Sequence, residues 1–277
     1  MGLPGLTAFG IAAIVGTGFF VLTGVAAARY AGPAIVLSYL LAAVVSGLAA
    51  LCYAELASYV PVAGSAYIYA YAVLGEVVAW VVGWALILKY GVSAAAVGVG
   101  WSGYVHDLLR STLGVELPRA LTSPPLGSPP GIVDLPAVFV LLLLTGMVPT
   151  SSLDNPSPGT GALLAVRLRW AEAVVAAGVV AGLTSVLLVL LFGQSRIVFA
   201  VARDGFLPSP VGRVHPRTRI PWTATLSVGR GVALLASLTP IDILAQLTNI
   251  GTLAAFFAVS LAVRLNAGRA GSPPVEP

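Results

Sequence analysis

Gly16-Thr17-Gly18 interrupts the apolar run GIAAIVGTGFFVLTG (residues 10–24) close to its middle. A glycine inside a helix costs about 1 kcal/mol relative to alanine, so two of them around a β-branched threonine predict a local unwinding. In a bilayer, unwound backbone persists only where it lines a cavity or lies inside protein. Such a broken apolar helix is the sequence pointer to a transporter's substrate site. The chemistry on offer is anion binding. The break frees backbone N–H groups, and the N-terminus of a half-helix favours negative charge by up to ~1–2 kcal/mol. Glycine lets a ligand approach the backbone closely. Ile14 and Val15 would present free carbonyls, and Phe19 and Phe20 would wall the pocket. The competing reading is that the glycines serve only close helix packing.

Other chemistries find little support. Cys52 is the single cysteine, and His106 and His215 lie far apart with no cysteine cluster beside either, so a metal site is not expected. GVGWSG (98–103) fits the dinucleotide glycine pattern, but that motif requires a preceding strand and here it closes an apolar helix. No nucleophile–base constellation is present, and neither an enzyme nor a cofactor is expected. Gly178 and Gly182 form a GxxxG step suited to helix packing. Lys89 and Arg230 fall within apolar runs, where a charge costs ~2.5–3.5 kcal/mol on insertion scales and is ordinarily a functional candidate. Glu55, Glu76 and Asp204 fall at helix ends, where solvation explains them.

The elements that must position the break are membrane helices. The 277 residues are 58% hydrophobic and 9% charged, with a mean hydropathy of +0.98, against roughly 25% charged in soluble domains. The fold class is all-α integral membrane, with the lipid bilayer as its solvent. A net charge of +4 reflects arginines between the apolar runs, which orient the chain in the membrane rather than bind nucleic acid. No signal peptide is read at the N-terminus. Spans need about 20 apolar residues, and the sequence predicts helices at 6–29, 33–57, 72–101, 173–200, 221–239 and 242–264. Segment 135–148 is short, a length that suits a re-entrant piece. Together they form one bundle over 1–265, and 266–277 is a disordered tail. Proline-rich loops are expected at 104–134 and 149–171. The arginine-rich loop 201–220 should face the cytoplasm. If 135–148 fails to cross, six helices span and both termini are inside. If it crosses, seven segments span and the N-terminus is outside, which charge counting prefers.

The sequence resembles the amino-acid permeases of the amino acid–polyamine–organocation superfamily, near the cationic amino-acid transporter branch. GIAAIVGTGFFVLTG resembles the family's broken first helix, and AGPAIVLSYLLAAVVSGLAALCYAELAS (31–58) its second. PVAGSAYIYAYAVLGEVVAWVVGWALILKYGVSAAAVGVGWSGYV (61–105) resembles the following loop and long third helix. AGLTSVLLVLLFGQSRIVFAVARDGFLP (181–208), with HPRTRIPW (215–222), resembles the eighth helix and the basic loop after it. IDILAQLTNIGTLAAFFAVSLAV (241–263) resembles the tenth. The implied fold is the leucine-transporter type of two inverted five-helix repeats. The implied activity is secondary amino-acid transport at a bacterial cell membrane, with an amino acid as substrate, cationic or small and neutral, and with proton coupling. On this resemblance Gly16, Thr17 and Gly18 bind the carboxylate, Ile14 and Phe19 line the site, and Thr184 and Ser185 match small polar positions near the family's ion site. For the last two, a hydroxyl bonded back to its own helix is the plainer reading.

The resemblance also exposes a departure. LPAVFVLLLLT (135–145) looks like family helix 4 and runs straight into GMVP (146–149), which looks like the end of helix 7. Helices 5, 6 and most of 7 are not represented, nor are 11 and 12, so the bundle is incomplete. Lys89 and Ala85 stand where close relatives often carry acidic residues. Two functional readings follow: an amino-acid permease, or a transport-inactive shortened paralogue or gene fragment acting at most as a membrane binding or assembly partner. Keeping 135–148 from crossing is favoured, because it leaves every other helix in its family orientation.

Overall fold

A computed structural model describes residues 7, 14, 21–60, 65–127, 130–147, 169–208, 210–214 and 221–267. The described part of the first apolar segment contains a short α-turn, α1 (Thr23–Ala26), which loosens into a π-turn over Ala27–Ala31 and stops at Gly32 with φ +54°. Then follow α2 (Ile35–Tyr59), α3 (Ser65–Leu74), α4 (Glu76–Leu113), α5 (Leu135–Met147), α6 (Arg169–Arg203), α7 (Trp222–Leu238) and α8 (Ile241–Ala267). Gly16, Thr17, Gly18 and Phe19 lie outside the described residues, as do most of 149–171 and the tail beyond 267.

Among the described residues, four stretches are long and apolar enough to cross a membrane: Gly32–Tyr59, Glu76–Arg110, Ala177–Arg203 and Ile241–Leu265. The 17 residues of α7 sit at the short end of the spanning range. The 13 residues of α5 extend only about 20 Å, against a hydrocarbon core of about 30 Å.

Helix α4 is the axis of the bundle and packs against α3, α5, α6, α7 and α8. The sequence reading placed this helix at 72–101; in the structure the chain breaks at Gly75, whose φ of +90° suits only glycine, and then stays helical to Leu113. The ten residues assigned to the start of a loop at 104 are therefore helix. The prolines that mark the expected loop begin at Pro118, beyond the helix end, and Ser102 within the helix is buried and hydrogen-bonded to a neighbouring element, as described below. Gly114 at φ +65° closes the helix in the left-handed conformation typical of a C-terminal cap.

Small residues let α4 take neighbours on several sides. Ala94 and Ala95 are fully buried, and Gly98 receives Leu141 of α5. One core cluster joins the middle of α4 to α5, the middle of α6, and α7, through Val92, Leu141, Leu187 and Val232. A second joins the first half of α4 to α3, the end of α6 and the end of α8, through Tyr67, Leu86, Val201 and Val259. Tyr67, with no exposed surface, donates its hydroxyl to Asp204 at 2.5 Å, so Asp204 anchors the end of α6 to α3 rather than simply meeting solvent.

Paired residues fix the helix directions. Along α4 toward its C-terminus, Gly98 meets Leu141 and Ser102 meets Asp134, so α5 runs antiparallel to α4. Gly83, Gly91 and Trp101 meet Val201, Gln194 and Thr184 in turn, so α6 is antiparallel to α4 as well. Hence α5 and α6, consecutive among the described helices, run in the same direction. Ser93 with Thr248, and Ala85 and Lys89 with Gly251, set α8 antiparallel to α4 too.

The periphery is α2. It buries only Ala49 and Leu56 and presents Leu37, Leu41, Leu48 and Leu51 at 60–70% exposure. A helix apolar all round, with so little packing, is one whose cover in the membrane is lipid or a further helix. The GxxxG step at Gly178 and Gly182 does not act as a packing site among the described residues: a β-carbon at either position would meet open space.

Candidate functional site

A cavity of about 730 Å3 lies between the first segment, α2 and α8, within the size range of small-molecule sites. Each wall is a helical stripe. Leu22, Ala26 and Tyr30 repeat every four residues in the first segment; Ile35, Ser38, Tyr39 and Ala42 follow helical spacing on α2; Asp242, Ala245, Gln246 and Asn249 do so on α8. Residues three, four and seven apart share a helix face, so periodicity alone aims these side chains at one volume. Thr23 and Tyr39 share a hydrogen bond of 2.6 Å between their hydroxyls, which ties the first segment to α2 beside the cavity.

The walls differ in chemistry. The first two are largely apolar and aromatic, with the Ser38 hydroxyl as an exception. The α8 wall carries a carboxylate and two carboxamides. Asp242 stands in the first turn of α8, where the helix N-terminus favours its negative charge. Gln246 and Asn249 each offer a carbonyl acceptor and two N–H donors. Together they can receive a cationic group and orient a polar one, while Leu22 and Ile35 accept apolar carbon.

Of the residues singled out from the sequence, Ile14 lines this cavity and is 80% exposed. Thr184 and Ser185 do not line it. Thr184 Oγ1 donates to the Val180 carbonyl at 2.7 Å and accepts from Trp101 Nε1 at 3.0 Å; Ser185 Oγ donates to the Ala181 carbonyl at 3.3 Å. Both hydroxyls thus bond back to their own helix. The half-buried Lys89 sits on α4 with its Nζ 4.7 Å from the Tyr90 ring centroid, and Arg230 is exposed on α7.

Sequence reasoning missed Asp242, Gln246 and Asn249. The signal was present: these are polar residues at helical spacing in a helix otherwise rich in Ala, Leu and Phe, and polar groups inside a membrane helix point to function.

Two amino acid permease family models match the chain, one over residues 5–148 and the other over 131–269. Among similar proteins, the branched-chain amino acid permease BcaP of Bacillus subtilis is 34% identical over 372 positions, covering 95% of this chain and 80% of that protein. A methylthioribose transporter of the same organism is 30% identical, covering 93% of this chain and 79% of its own length. Human cationic amino acid transporter 4 is 30% identical, covering 98% of this chain and 60% of its own length. The first alignment is far longer than the part of this chain that enters it, so about a hundred positions of that relative have no counterpart inside this chain.

Proposed function

Starting from the fact that this chain belongs to the amino acid permease family and is a multi-pass membrane protein, we propose that it binds an amino acid in the cavity between its first segment, α2 and α8. The carboxylate is held at Gly16-Thr17-Gly18 by freed backbone N–H groups. Phe19 and Ile14 close the apolar side, and the α-ammonium or a cationic side chain faces Asp242, Gln246 and Asn249. The observation that carries this reading is the position of Ile14: two residues before the glycine break, it lines a cavity whose far wall is polar. Relatives named for branched-chain and for cationic amino acids fit a site with one apolar and one acidic wall. Proton coupling and residence in a bacterial cell membrane complete the proposal.

The shared direction of α5 and α6 supports a topology of six crossings. With α6 ending at the cytoplasmic arginine loop, α4 runs outward, and both α5 and α6 start from the outer side. The short α5 then dips into the membrane without crossing it. Charge counting favours the seven-crossing alternative, but that arrangement needs α5 and α6 antiparallel.

A second reading is favoured by the internal shortening. Alternating access needs two bundles that rock against each other, and the missing segment removes helices from the middle of the chain. A single chain then binds substrate but completes transport slowly or not at all. The test pairs binding with flux. Purified protein should bind radiolabelled leucine or arginine saturably, and Gly16→Leu and the double variant Gln246→Ala/Asn249→Ala should each weaken binding at least tenfold. Liposomes carrying the protein should show little uptake of arginine, lysine or alanine. Saturable uptake abolished by Gly16→Leu overturns the non-transporting reading; absence of binding by any amino acid overturns the site.

A further inference from the structure

A second cavity, of about 450 Å3, lies between α4, α6 and α7, beneath the turn that follows α6. Its walls are apolar: Ile87 and Leu88 of α4, Val198 of α6, Leu207 of the turn, and Val228 and Val232 of α7. Gln194 lines it and is only 4% exposed. The Gln194 amide is half satisfied. Its Nε2 donates to the Ile87 carbonyl at 3.3 Å, while its Oε1 is buried with no donor in reach among the described residues. Gly91 makes room for this side chain, since a β-carbon there would stand 2.7 Å from Nε2.

A buried carbonyl left without a donor costs ~1–3 kcal/mol, so this acceptor calls for a partner. Water is a poor one. A buried water needs about three hydrogen bonds, and beyond Gln194 the polar side chains in the lining are Ser227 and the Trp84 indole, both at the exposed mouth, with hydrocarbon elsewhere. The cavity also has a lateral mouth. Trp84 and Leu88 on α4 are each 43% exposed, and Ser227 and Gly231 on α7 are exposed as well. All of these belong to apolar helices, so the mouth opens toward the bilayer.

We propose that this cavity is a binding site for a membrane-dissolved alcohol: an apolar molecule with one hydroxyl, entering between α4 and α7 and donating its hydrogen bond to Gln194 Oε1. The hydrocarbon part fills the Leu88–Val232 space, and the hydroxyl supplies the donor that the protein lacks there. Size and chemistry select this class over amino acids, whose charged ends would find no counter-charge in the lining. The site is separate from the amino-acid cavity, which shares none of its lining residues.

The test is photolabelling of the full chain in nanodiscs with a diazirine-bearing n-alkanol and, in parallel, the same diazirine on the hydroxyl-free n-alkane, with adducts mapped by mass spectrometry. The expected result is saturable labelling at Trp84, Leu88 or Val232 by the alcohol, about fivefold or more above the alkane, the worth of one hydrogen bond. Gln194→Leu should bring alcohol labelling down to the alkane level. Gly231→Leu, at a position where a new side chain meets open space, should block both probes by filling the mouth. Equal labelling by the two probes in the unmodified protein overturns the proposal, as does labelling that Gly231→Leu leaves unchanged. Both of these readouts remain decisive if Gln194→Leu does not fold.

Discussion

Asp134 offers the sharpest test of how the short helix α5 is held. It is 2% exposed and lies immediately before α5. Its Oδ1 accepts the Ser102 hydroxyl at 2.6 Å and the Ala137 N–H at 3.2 Å, so one carboxylate both caps α5 and joins it to α4. Burial pushes its pKa up from 3.8 to about 6, against the pull of those two hydrogen bonds. The folded protein therefore holds the proton more tightly than the unfolded chain does. Stability should be highest below about pH 4, fall as pH rises toward 6 while the unfolded chain has already ionised, and level off above. At ~1.4 kcal/mol per pKa unit, the loss across that window is about 3 kcal/mol.

Asp134→Asn removes the charge and keeps the acceptor. In unfolding titrations in mixed micelles between pH 4 and 8, it should abolish the slope. It should match the unmodified protein near pH 4 and exceed it at pH 7 by ~1–3 kcal/mol. Asp134→Ala removes the cap, worth about 1 kcal/mol, and leaves the buried Ser102 hydroxyl without an acceptor, a further ~1–3 kcal/mol. At pH 4 it should be less stable than Asp134→Asn by ~2–4 kcal/mol. If Asp134→Asn is the less stable protein at pH 7, the carboxylate is paired or solvated in the membrane and the burial argument fails.

Gly229→Ala places a methyl group onto the buried Thr145 side chain; a tightly packed crossing of this kind should lose ~1–3 kcal/mol, and Thr145→Ala in the same chain should recover most of it. Tyr67→Phe deletes the bond to Asp204, and limited proteolysis should then cut within 204–214 several-fold faster while amino-acid binding stays unchanged. Single cysteines introduced over 150–168 in a Cys52→Ala background should react with an impermeant maleimide from outside the cell; labelling from the cytoplasmic side only would refute the six-crossing arrangement. Asn249→Leu should weaken amino-acid binding at least tenfold with no loss of thermal stability, and unchanged binding would remove α8 from the site.

Helix positions were legible where composition alone decides them. The predicted 33–57, 173–200 and 242–264 appear as Ile35–Tyr59, Arg169–Arg203 and Ile241–Ala267, because long apolar runs in a membrane protein have one satisfactory backbone, the helix. The misjudged stretch, 102–113, is polar in composition but pays for its polarity locally, with Ser102 bonded to Asp134 and Arg110 ion-paired with Glu116 at 3.2 Å. The Ser102–Asp134 bond depends on two elements meeting and cannot be read from either alone. The same holds for Asp204: its partner Tyr67 is 137 positions away.

The candidate site divides along the same line. The glycine break is a local signal, visible as an interruption in an apolar run. The polar wall of α8 is a periodic signal, visible only once a face is assigned to the helix. Helix direction is a third kind of information, absent from composition. Charge counting weighed arginines against a membrane and preferred seven crossings, whereas packing weighs Gly98 against Leu141 and Gly83 against Val201, and sets α5 parallel to α6. A few arginines bias orientation by a modest energy each, but a helix core sunk into α4 cannot be inverted without losing the whole interface. Where the two disagree, the larger energy belongs to the packing, and that is the ground for proposing that the short α5 enters the membrane without crossing it.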